Sequence, residues 1–310
     1  MKAMRMVQTD ANAAFELTKD APKPNPGPGQ ILIQVKAAGI TPTELLWYPT
    51  HHQKDGSPRV APIPGHEFSG IVEALGEGVD AFRVGEEVYG LNDWFEEGAT
   101  AGYCLTLPAF IATKPRRLSH EEAAAVPIGA LTAWQGLHDR AQLQSGERVL
   151  IHGGSGAVGV FAIQLARTIG AEVITTASKR NEAFLKELGA TQVIDYKDED
   201  FTKAIDGLVD VIFDGVGGET LDRSWSLLKP GGRLVTIAAA SEETAEQRVK
   251  DAFFIVEPSH YQLSRIASQL DEGTLKAIVD VVVPFEEAPD AYAGKAKARA
   301  GRGKVVVAID

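Results

Sequence analysis

The sequence predicts a two-domain α/β protein in which a doubly wound parallel sheet accompanies a β-rich domain. Its 310 residues suffice for about two domains, and 44% of them are hydrophobic, enough for two apolar cores. Strand-like and helical segments alternate between residues 148 and 236, a pattern typical of right-handed βαβ units and a parallel sheet. Before residue 119 the strand-like runs are short and are broken repeatedly by Gly and Pro, which predicts a compact β-rich domain.

Composition and charge exclude several classes of protein. The formal net charge is −11, which disfavours nucleic acid as a main partner because phosphate binding needs a basic face. No apolar run approaches the roughly 20 residues that a membrane span needs, and the N-terminus turns polar too soon for a secretory signal. Cys104 is the single cysteine, so the chain has neither an intrachain disulfide framework nor a multi-cysteine zinc lobe. We expect a cytoplasmic protein.

Turn residues and caps divide the outer parts of the chain. The segment APKPNPGPG (21–29) must be a loop, and the alternating ILIQV (31–35) after it predicts a half-buried strand. Ser119, followed by two glutamates, predicts the N-cap and acidic first turn of a helical region. Near the C-terminus we expect a helix from residue 261, strands VDVVVPF and KVVVAID, and an exposed basic turn over residues 295–304.

The middle third carries the parallel-sheet pattern. RVLIHG (148–153) predicts a buried strand, and the apolar spacing over residues 158–169 predicts a helix that ends at Gly170. The segments EVITTAS, QVIDY, VDVIFDGV and GRLVTIAA predict further strands, with helices NEAFLKEL and ETLDRSWSLL between them.

A glycine motif follows the first of these strands. It has the pattern G-x-G-x-x-G and consists of Gly154, Ser155, Gly156, Ala157, Val158 and Gly159. The glycines permit the tight turn, the approach of a pyrophosphate and close packing of helix and strand. The helix N-terminus then offers free N–H groups to phosphate. Because the motif lies between a buried strand and an amphipathic helix, we interpret it as the dinucleotide-binding turn of a Rossmann domain rather than a purely structural turn.

The end of the second strand predicts which dinucleotide binds. An NAD site usually has Asp or Glu there to bind the ribose hydroxyls, whereas this chain has Ser178, Lys179 and Arg180. A hydroxyl and two cations are suited to the 2′-phosphate of NADP(H). The alternative is that Lys179 and Arg180 are solvated charges ahead of a helix. We predict NADP(H) as the cofactor.

Several motifs together resemble the medium-chain dehydrogenase/reductases, in particular their zinc-independent quinone oxidoreductase-like branch. The similar segments are PGQILIQV (28–35), PGHEFSGIV (64–72), LTAW (131–134), IDY (194–196) and DGVGG (214–218). The resemblance implies a GroES-like β-rich domain formed by residues 1–122 with 261–310, and a Rossmann domain over residues 123–260. It also implies a ligand cleft between the two domains and a homodimer.

The resemblance also implies cofactor contacts at matching positions. Thr132 would hydrogen-bond the nicotinamide end, and Phe254 and Ile255 would approach the nicotinamide. Tyr196 would lie near the 2′-phosphate and Val216 near a ribose. Phe254, Ile255 and Tyr196 could instead be ordinary core or strand residues.

The same resemblance bears on metal and chemistry. Thr41 occupies the place of the catalytic cysteine of zinc-dependent members, and a catalytic zinc needs three protein ligands, so no metal is expected. Without zinc to stabilise an alkoxide, hydride addition to a quinone or an α,β-unsaturated carbonyl is favoured, because the charge spreads over the acceptor. Thr41, Tyr48 or His66 could supply a hydrogen bond to the acceptor oxygen, and Trp94 and Phe95 could line the pocket.

Two alternatives remain at this level. One is a zinc-type alcohol dehydrogenase that retains His66 and Glu67. The other is a non-catalytic NADPH-binding protein of the crystallin kind, since a fold does not fix a function.

Overall fold

The structure is a computed structural model, and it describes residues 1–8, 14–242, 244–297 and 299–309. The strands are β1 (Ala3–Gln8), β2 (Ala14–Thr18), β3 (Ile31–Ile40), β4 (Glu67–Leu75), β5 (Glu87–Leu91), β6 (Tyr103–Thr106), β7 (Ile111–Thr113), β8 (Arg148–His152), β9 (Glu172–Ala177), β10 (Gln192–Asp195), β11 (Val209–Asp214), β12 (Leu228–Thr236), β13 (Val279–Pro284) and β14 (Lys304–Ala308). The α-helices are α1 (Tyr48–His51), α2 (His120–Ala124), α3 (Pro127–Trp134), α4 (Gly159–Ile169), α5 (Glu182–Leu188), α6 (Phe201–Ala204), α7 (Gly218–Ser224), α8 (Gln247–Ala252), α9 (His260–Glu272) and α10 (Ala288–Tyr292).

The middle third forms a five-stranded sheet with the strand order β10-β9-β8-β11-β12, and all its pairs are parallel. This order confirms the doubly wound sheet expected from the sequence. The helix after the glycine motif ends where predicted, because Gly170 adopts a left-handed φ of 91° at its C-terminus. The first residue of the helix, Gly159, lies at the C-terminal end of β8, where the loops of such sheets hold ligands.

The β-rich part is a mixed sheet with the order β13-β14-β3-β4-β5-β7, and β6 also pairs with β3. The C-terminal strand β14 lies antiparallel to β3, with Val305 opposite Ile40. The tail of the chain therefore completes a sheet that the N-terminal part began. The division into domains at residues 122 and 260 stays a prediction.

The expectation of an exposed turn up to residue 304 is wrong at its end. Lys304 is 3% exposed, because it is the first residue of β14 and its side chain enters the protein interior. Only the pairing of β14 with β3, two segments far apart in sequence, determines this burial.

The helical region after Ser119 connects the two sheets. Ser119 and Glu122 form a capping box at the start of α2, as the sequence indicates. Pro127 begins a separate helix, α3, because proline cannot continue a preceding helix. A Cβ on Gly129 of α3 would lie 2.4 Å from the carbonyl oxygen of Ala157, so this glycine lets α3 pack against the glycine motif. Across the described residues, no helix is long and apolar enough to cross a membrane.

Candidate active site

A cavity of about 400 Å³ lies between the β-rich part and the parallel sheet. It is lined mainly by apolar and aromatic side chains, which is the usual character of a small-molecule site. The lining residues are Thr41, Thr43, Trp47, Tyr48, Pro49, Trp94, Phe95, Ile128, Thr132, Val158, Ile237, Ala239, Glu242, Phe253, Phe254, Ile255 and Val256. The structure thus brings together six residues predicted from sequence for the site, and Trp94 and Phe95 with them.

The inner wall of the cavity comes from α3 and from the segment after α8. Thr132 is buried, and its hydroxyl donates a hydrogen bond to the carbonyl oxygen of Ile128 at 2.6 Å. The backbone N–H of Phe254 donates to the carbonyl oxygen of Thr236 at the end of β12, at 3.2 Å. Phe254 is therefore buried beside the sheet, whereas Ile255 is half exposed towards the cavity.

The glycine motif is a cradle that tolerates no added side chain at two positions. A Cβ on Gly154 would lie 2.1 Å from the hydroxyl oxygen of Thr175, and a Cβ on Gly159 would lie 2.3 Å from the carbonyl oxygen of Gly153. A Cβ on Gly156 would meet only the Gly153 carbonyl oxygen, at 3.3 Å. The motif therefore has the close backbone packing that a pyrophosphate-binding loop requires.

Two other segments approach this motif. Asp214 is buried and accepts hydrogen bonds from the N–H groups of Val216 and Gly217 and from the Thr236 hydroxyl. It fixes the loop that carries Val216, whose Cγ2 lies 3.6 Å from where a Cβ on Gly153 would be. From the C-terminal loop, the N–H of Gly303 donates to the carbonyl oxygen of Ser155 at 2.8 Å.

The basic residues after β9 differ in whether they form an ion pair. Lys179 Nζ pairs with Glu182 at 2.7 Å, while Arg180 makes no ion pair with any residue that the structure describes. Ser178 is half buried between β9 and these cations. Asp195 at the end of β10 accepts from the backbone N–H of Lys179 at 3.1 Å, so its carboxylate is already occupied.

Tyr196 follows β10 and is 57% exposed on the same edge of the sheet. Arg302, which belongs to none of the sequence motifs, also reaches this edge. It donates to the side-chain oxygen of Asn181 at 2.9 Å and to the carbonyl oxygen of Arg180 at 3.1 Å. Its guanidinium lies 4.7 Å from the ring centre of Phe184. Nothing in the local sequence around Arg302 indicates that it would hold this loop.

His66 does not line the cavity. It is 1% exposed behind Trp47 and Trp94, whose rings stack with its imidazole at 5.5 and 5.4 Å between centroids. Its Nδ1 lies 3.0 Å from Asn92 Oδ1 and its Nε2 lies 2.9 Å from Thr50 Oγ1. Burial lowers the pKa of the ring to about 4, so it is neutral. Both nitrogens are engaged, and neither is free for a ligand.

Three strand ends meet on the side of Thr41 that faces away from the cavity. Thr41 follows β3, Glu67 begins β4, and Lys304 begins β14. Glu67 and Lys304 are buried and form an ion pair, and Lys304 Nζ also donates to Thr41 Oγ1 at 2.8 Å. The other oxygen of Glu67 accepts from the N–H of Ile128 at 2.9 Å. Gly39 leaves room for this carboxylate, because a Cβ there would lie 2.6 Å from Glu67 Oε1.

A second buried carboxyl belongs to the same cluster. Glu44 is 0% exposed and accepts hydrogen bonds from the Tyr292 hydroxyl at 2.7 Å and from the N–H of His66 at 3.2 Å. Burial raises the pKa of Glu44 to about 8, the Glu67 carboxylate adds to the shift, and Lys304 opposes it. The sequence gives little signal for Glu44. For Lys304, the sequence offers one indication, which is a charged residue directly before the apolar run VVVA.

The zinc-ligand positions of this fold do not fit a zinc ion. The resemblance puts Thr41 at the place of the zinc-binding cysteine, both His66 nitrogens are engaged, and Glu67 is paired with Lys304. Cys104 is fully buried on β6, in register with Ile33 of β3. Within the described ranges, no group of three His, Cys, Asp or Glu side chains is placed to bind a metal.

The chain is similar to known proteins along its whole length. The family model "Alcohol dehydrogenase GroES-like domain" matches residues 27–134, and "Zinc-binding dehydrogenase" matches residues 188–307. A "probable zinc-binding oxidoreductase, mitochondrial" of Arthroderma benhamiae is 33% identical over 94% of this chain and 92% of its own. A "2-methylene-furan-3-one reductase" of Solanum lycopersicum is 31% identical over 99% of this chain and 79% of its own.

Among solved structures, the quinone oxidoreductase from Coxiella burnetii superposes with a TM-score of 0.88 at 32% identity, and covers 100% of this chain and 99% of that one. The strand orders, the glycine cradle and these matches agree on one family, whose members bind nicotinamide cofactors. This chain is therefore an oxidoreductase that belongs to the medium-chain dehydrogenase/reductase superfamily, in its quinone oxidoreductase-like branch.

Proposed function

We propose that this protein is an NADPH-dependent reductase that transfers hydride to quinones or α,β-unsaturated carbonyls without zinc. The observation that carries the proposal is the apolar cavity, which has Thr132 and Phe254 on one wall and Thr41, whose hydroxyl accepts a hydrogen bond from Lys304, on another. Such a cavity suits a flat, uncharged acceptor, and it provides one polar hydrogen for an acceptor oxygen.

The residues that would hold the cofactor lie along one edge of the parallel sheet. The glycine motif and the N-terminus of α4 would bind the pyrophosphate, and Thr132 with Phe254 would lie at the nicotinamide end. Ser178, Arg180 and Lys179 would bind the 2′-phosphate, with Tyr196 beside them. Arg180 has no competing carboxylate among the described residues, which favours NADPH over NADH.

The bound cofactor would supply a hydride, and the acceptor must be able to stabilise the negative charge that the hydride brings. In a conjugated acceptor the charge moves to the acceptor's own oxygen, which a single hydrogen bond can stabilise. A saturated aldehyde would place the charge on an alkoxide, for which the described part of the chain offers no group of three His, Cys, Asp or Glu side chains that could hold a metal ion. The protein's part is to orient the acceptor, exclude water with Trp47, Trp94 and Phe95, and provide the hydrogen bond.

The names of the relatives are consistent with this class of acceptor. One is called a quinone oxidoreductase, and another a reductase of 2-methylene-furan-3-one, a conjugated ketone. These names describe those proteins. The proposal for this chain rests on its own cavity and side chains.

An acceptor panel followed by NADPH absorbance tests the proposal. The panel compares a simple quinone, an alkenal and an alkyl enone with a saturated aldehyde of equal length, each with and without chelator. We expect the conjugated acceptors to react at rates that the chelator leaves unchanged. Faster turnover of the saturated aldehyde, together with stoichiometric zinc in elemental analysis, would support the alcohol dehydrogenase alternative. Tight NADPH binding with no turnover of any acceptor would support the non-catalytic alternative.

The expected homodimer remains a prediction with one structural argument in its favour. β12 lies at the edge of the parallel sheet, and the extended segment beyond it makes a single parallel bridge between Thr236 and Phe253. Sedimentation equilibrium would measure the mass in solution. The cytoplasmic location also stays a prediction.

A further inference from the structure

Reduction of a conjugated acceptor needs a proton after the hydride, and the proposed function leaves its source open. The sequence offers three candidates, Thr41, Tyr48 and His66. The inference below rests on the proposed function and concerns which of them delivers this proton.

Two of the candidates are poorly placed. His66 is neutral and buried, both of its nitrogens have partners, and Trp47 and Trp94 lie over its ring. Tyr48 lines the cavity but is 56% exposed, and its ring stacks on His52 at 4.2 Å between centroids. A proton on an exposed phenol exchanges with water, so Tyr48 offers no protected route.

Thr41 has the arrangement that a proton donor requires. Its hydroxyl oxygen accepts a hydrogen bond from the ammonium of Lys304 at 2.8 Å. Among the described residues, its own hydrogen donates to Glu67 Oε1 at 3.3 Å, a hydrogen bond longer than the usual range of about 2.5–3.0 Å for O–H···O, and an acceptor oxygen in the cavity can replace this long bond. The hydroxyl hydrogen is therefore available to a molecule in the cavity that Thr41 lines.

Lys304 is held in place and shielded from water. It is 3% exposed, and Glu67, which pairs with it, is 0% exposed. The remaining oxygen of Glu67 is fixed by the N–H of Ile128, the residue that begins the cavity wall on α3. An ammonium thus lies one hydroxyl away from the cavity, in a place where bulk water does not compete.

We propose that Thr41 is the catalytic proton donor and that Lys304, positioned by Glu67, replaces the proton that Thr41 gives up. When NADPH is bound, it would supply a hydride to the β-carbon of the conjugated acceptor, and the acceptor's π electrons would then move onto the acceptor oxygen. That oxygen takes the Thr41 hydroxyl proton as the hydroxyl oxygen takes a proton from Lys304 Nζ. Once the product has left, water that enters the cavity returns a proton to Lys304 through the Thr41 hydroxyl, so one acceptor, one NADPH and one proton are consumed.

The principal test compares Thr41→Val, Thr41→Ser and the unchanged protein on the best acceptor of the panel. Valine keeps the shape and removes the hydroxyl, whereas serine keeps it. We expect Thr41→Val to lower kcat at least about 100-fold, the usual minimum for general acid catalysis, and Thr41→Ser to stay within about tenfold. NADPH dissociation constants and thermal unfolding should be alike in all three. A Thr41→Val protein with unchanged kcat overturns the inference and leaves the proposed function intact.

The role of Lys304 is tested with Lys304→Arg, which keeps the positive charge but holds its protons far more tightly. We expect kcat to fall and the solvent deuterium isotope effect on kcat to rise, because proton delivery becomes slower. A merely structural role would leave the isotope effect unchanged. If Lys304→Arg does not fold, the threonine pair still decides the question of the donor.

An equilibrium measurement needs no turnover. 4-Nitrophenol, whose phenolate absorbs in the visible, imitates the anion formed in the cavity. We expect the protein to prefer phenolate to the neutral phenol, and Thr41→Val to weaken that preference at least tenfold. Absence of the preference in the unchanged protein counts against the relay. Silence of the unchanged protein on every acceptor overturns the proposed function itself.

Discussion

The glycine motif and the buried charged cluster both lie beside the cavity, but the motif offers backbone groups and the cluster consists of ionisable side chains. The motif consists of consecutive residues and offers backbone N–H groups and empty space, with room for a Cβ at neither Gly154 nor Gly159. The cluster consists of Glu44, Glu67 and Lys304, which come from three distant segments and offer buried charge. One region depends on local geometry and the other on desolvated ion pairing.

This difference teaches where each region is vulnerable. Extra volume should damage the glycine motif, because its neighbours are backbone atoms and a buried strand. Loss of one charge should damage the cluster, because a buried charge without its partner is costly. The exposed cations after β9 form a third case. Water screens their ionic interactions, so replacing one of them should change binding or stability only slightly.

The largest effect is expected for Lys304→Met. It leaves Glu67 buried without its cation, and removing one partner of a buried pair costs about 3–5 kcal/mol. Urea denaturation would measure the free energy of unfolding. The matched control is Lys23→Met, which breaks the exposed pair of Lys23 with Glu73. If both variants lose the same free energy of unfolding, the buried cluster stabilises the protein no more than an exposed ion pair does.

Gly154→Ala should have the next largest effect. The added Cβ would lie 2.1 Å from the Thr175 hydroxyl oxygen, and overpacking of this kind costs about 1–3 kcal/mol. Gly156→Ala is the control, since its Cβ would have a single neighbour at 3.3 Å. We expect Gly156→Ala to keep the unfolding temperature while weakening NADPH, because the second glycine admits the pyrophosphate. A Gly156→Ala protein that is less stable than the Gly154→Ala protein would contradict this explanation by packing.

The pH dependence of stability sharpens the contrast further. The pKa of Glu44 is raised to about 8 in the folded protein, so the folded state binds the proton more tightly than the unfolded state. This contribution is full below the usual glutamate pKa and is lost as the pH rises towards 8. His66, with its pKa lowered to about 4, acts oppositely between pH 4 and 6.5.

Measurements between pH 6.5 and 8 therefore isolate Glu44. Over this range we expect the free energy of unfolding of the unchanged protein to fall relative to Glu44→Gln by up to about 2 kcal/mol, since one pKa unit corresponds to about 1.4 kcal/mol. Glutamine still accepts the hydrogen bond from Tyr292. Parallel pH curves for the two proteins would mean that Glu44 is ionised throughout.

The smallest effect concerns the cofactor's phosphate end. We expect the unchanged protein to bind NADPH about tenfold tighter than NADH, and Arg180→Ala to remove most of that preference while NADH binding stays the same. Lys179→Ala should have less effect, because Lys179 is already paired with Glu182. Lys186→Ala, which removes the other partner of Glu182, is the control. Equal dissociation constants for the two cofactors in the unchanged protein would refute the preference.

Local patterns were sufficient for most of the parallel-sheet part. The strand before the motif, the helix after it and its stop at Gly170 follow from apolar spacing and glycine conformation, and the structure confirms them. The capping box at Ser119 is likewise a matter of four consecutive residues. The apolar pattern after Ser119 predicts one helical region, and the structure divides it at Pro127 into two helices.

By itself, the sequence determined the fold class, the glycine motif and the basic residues that follow β9, because each depends on neighbours within a few turns or one βαβ unit. Only the tertiary structure decided which polar groups lie at the cavity wall and directly behind it. Lys304 and Thr41 are separated by 263 residues, and they meet because β14 pairs with β3 in the register that sets Val305 opposite Ile40. Strand register between distant segments is a property of the whole sheet, and a shift of one residue would turn Lys304 to the other face.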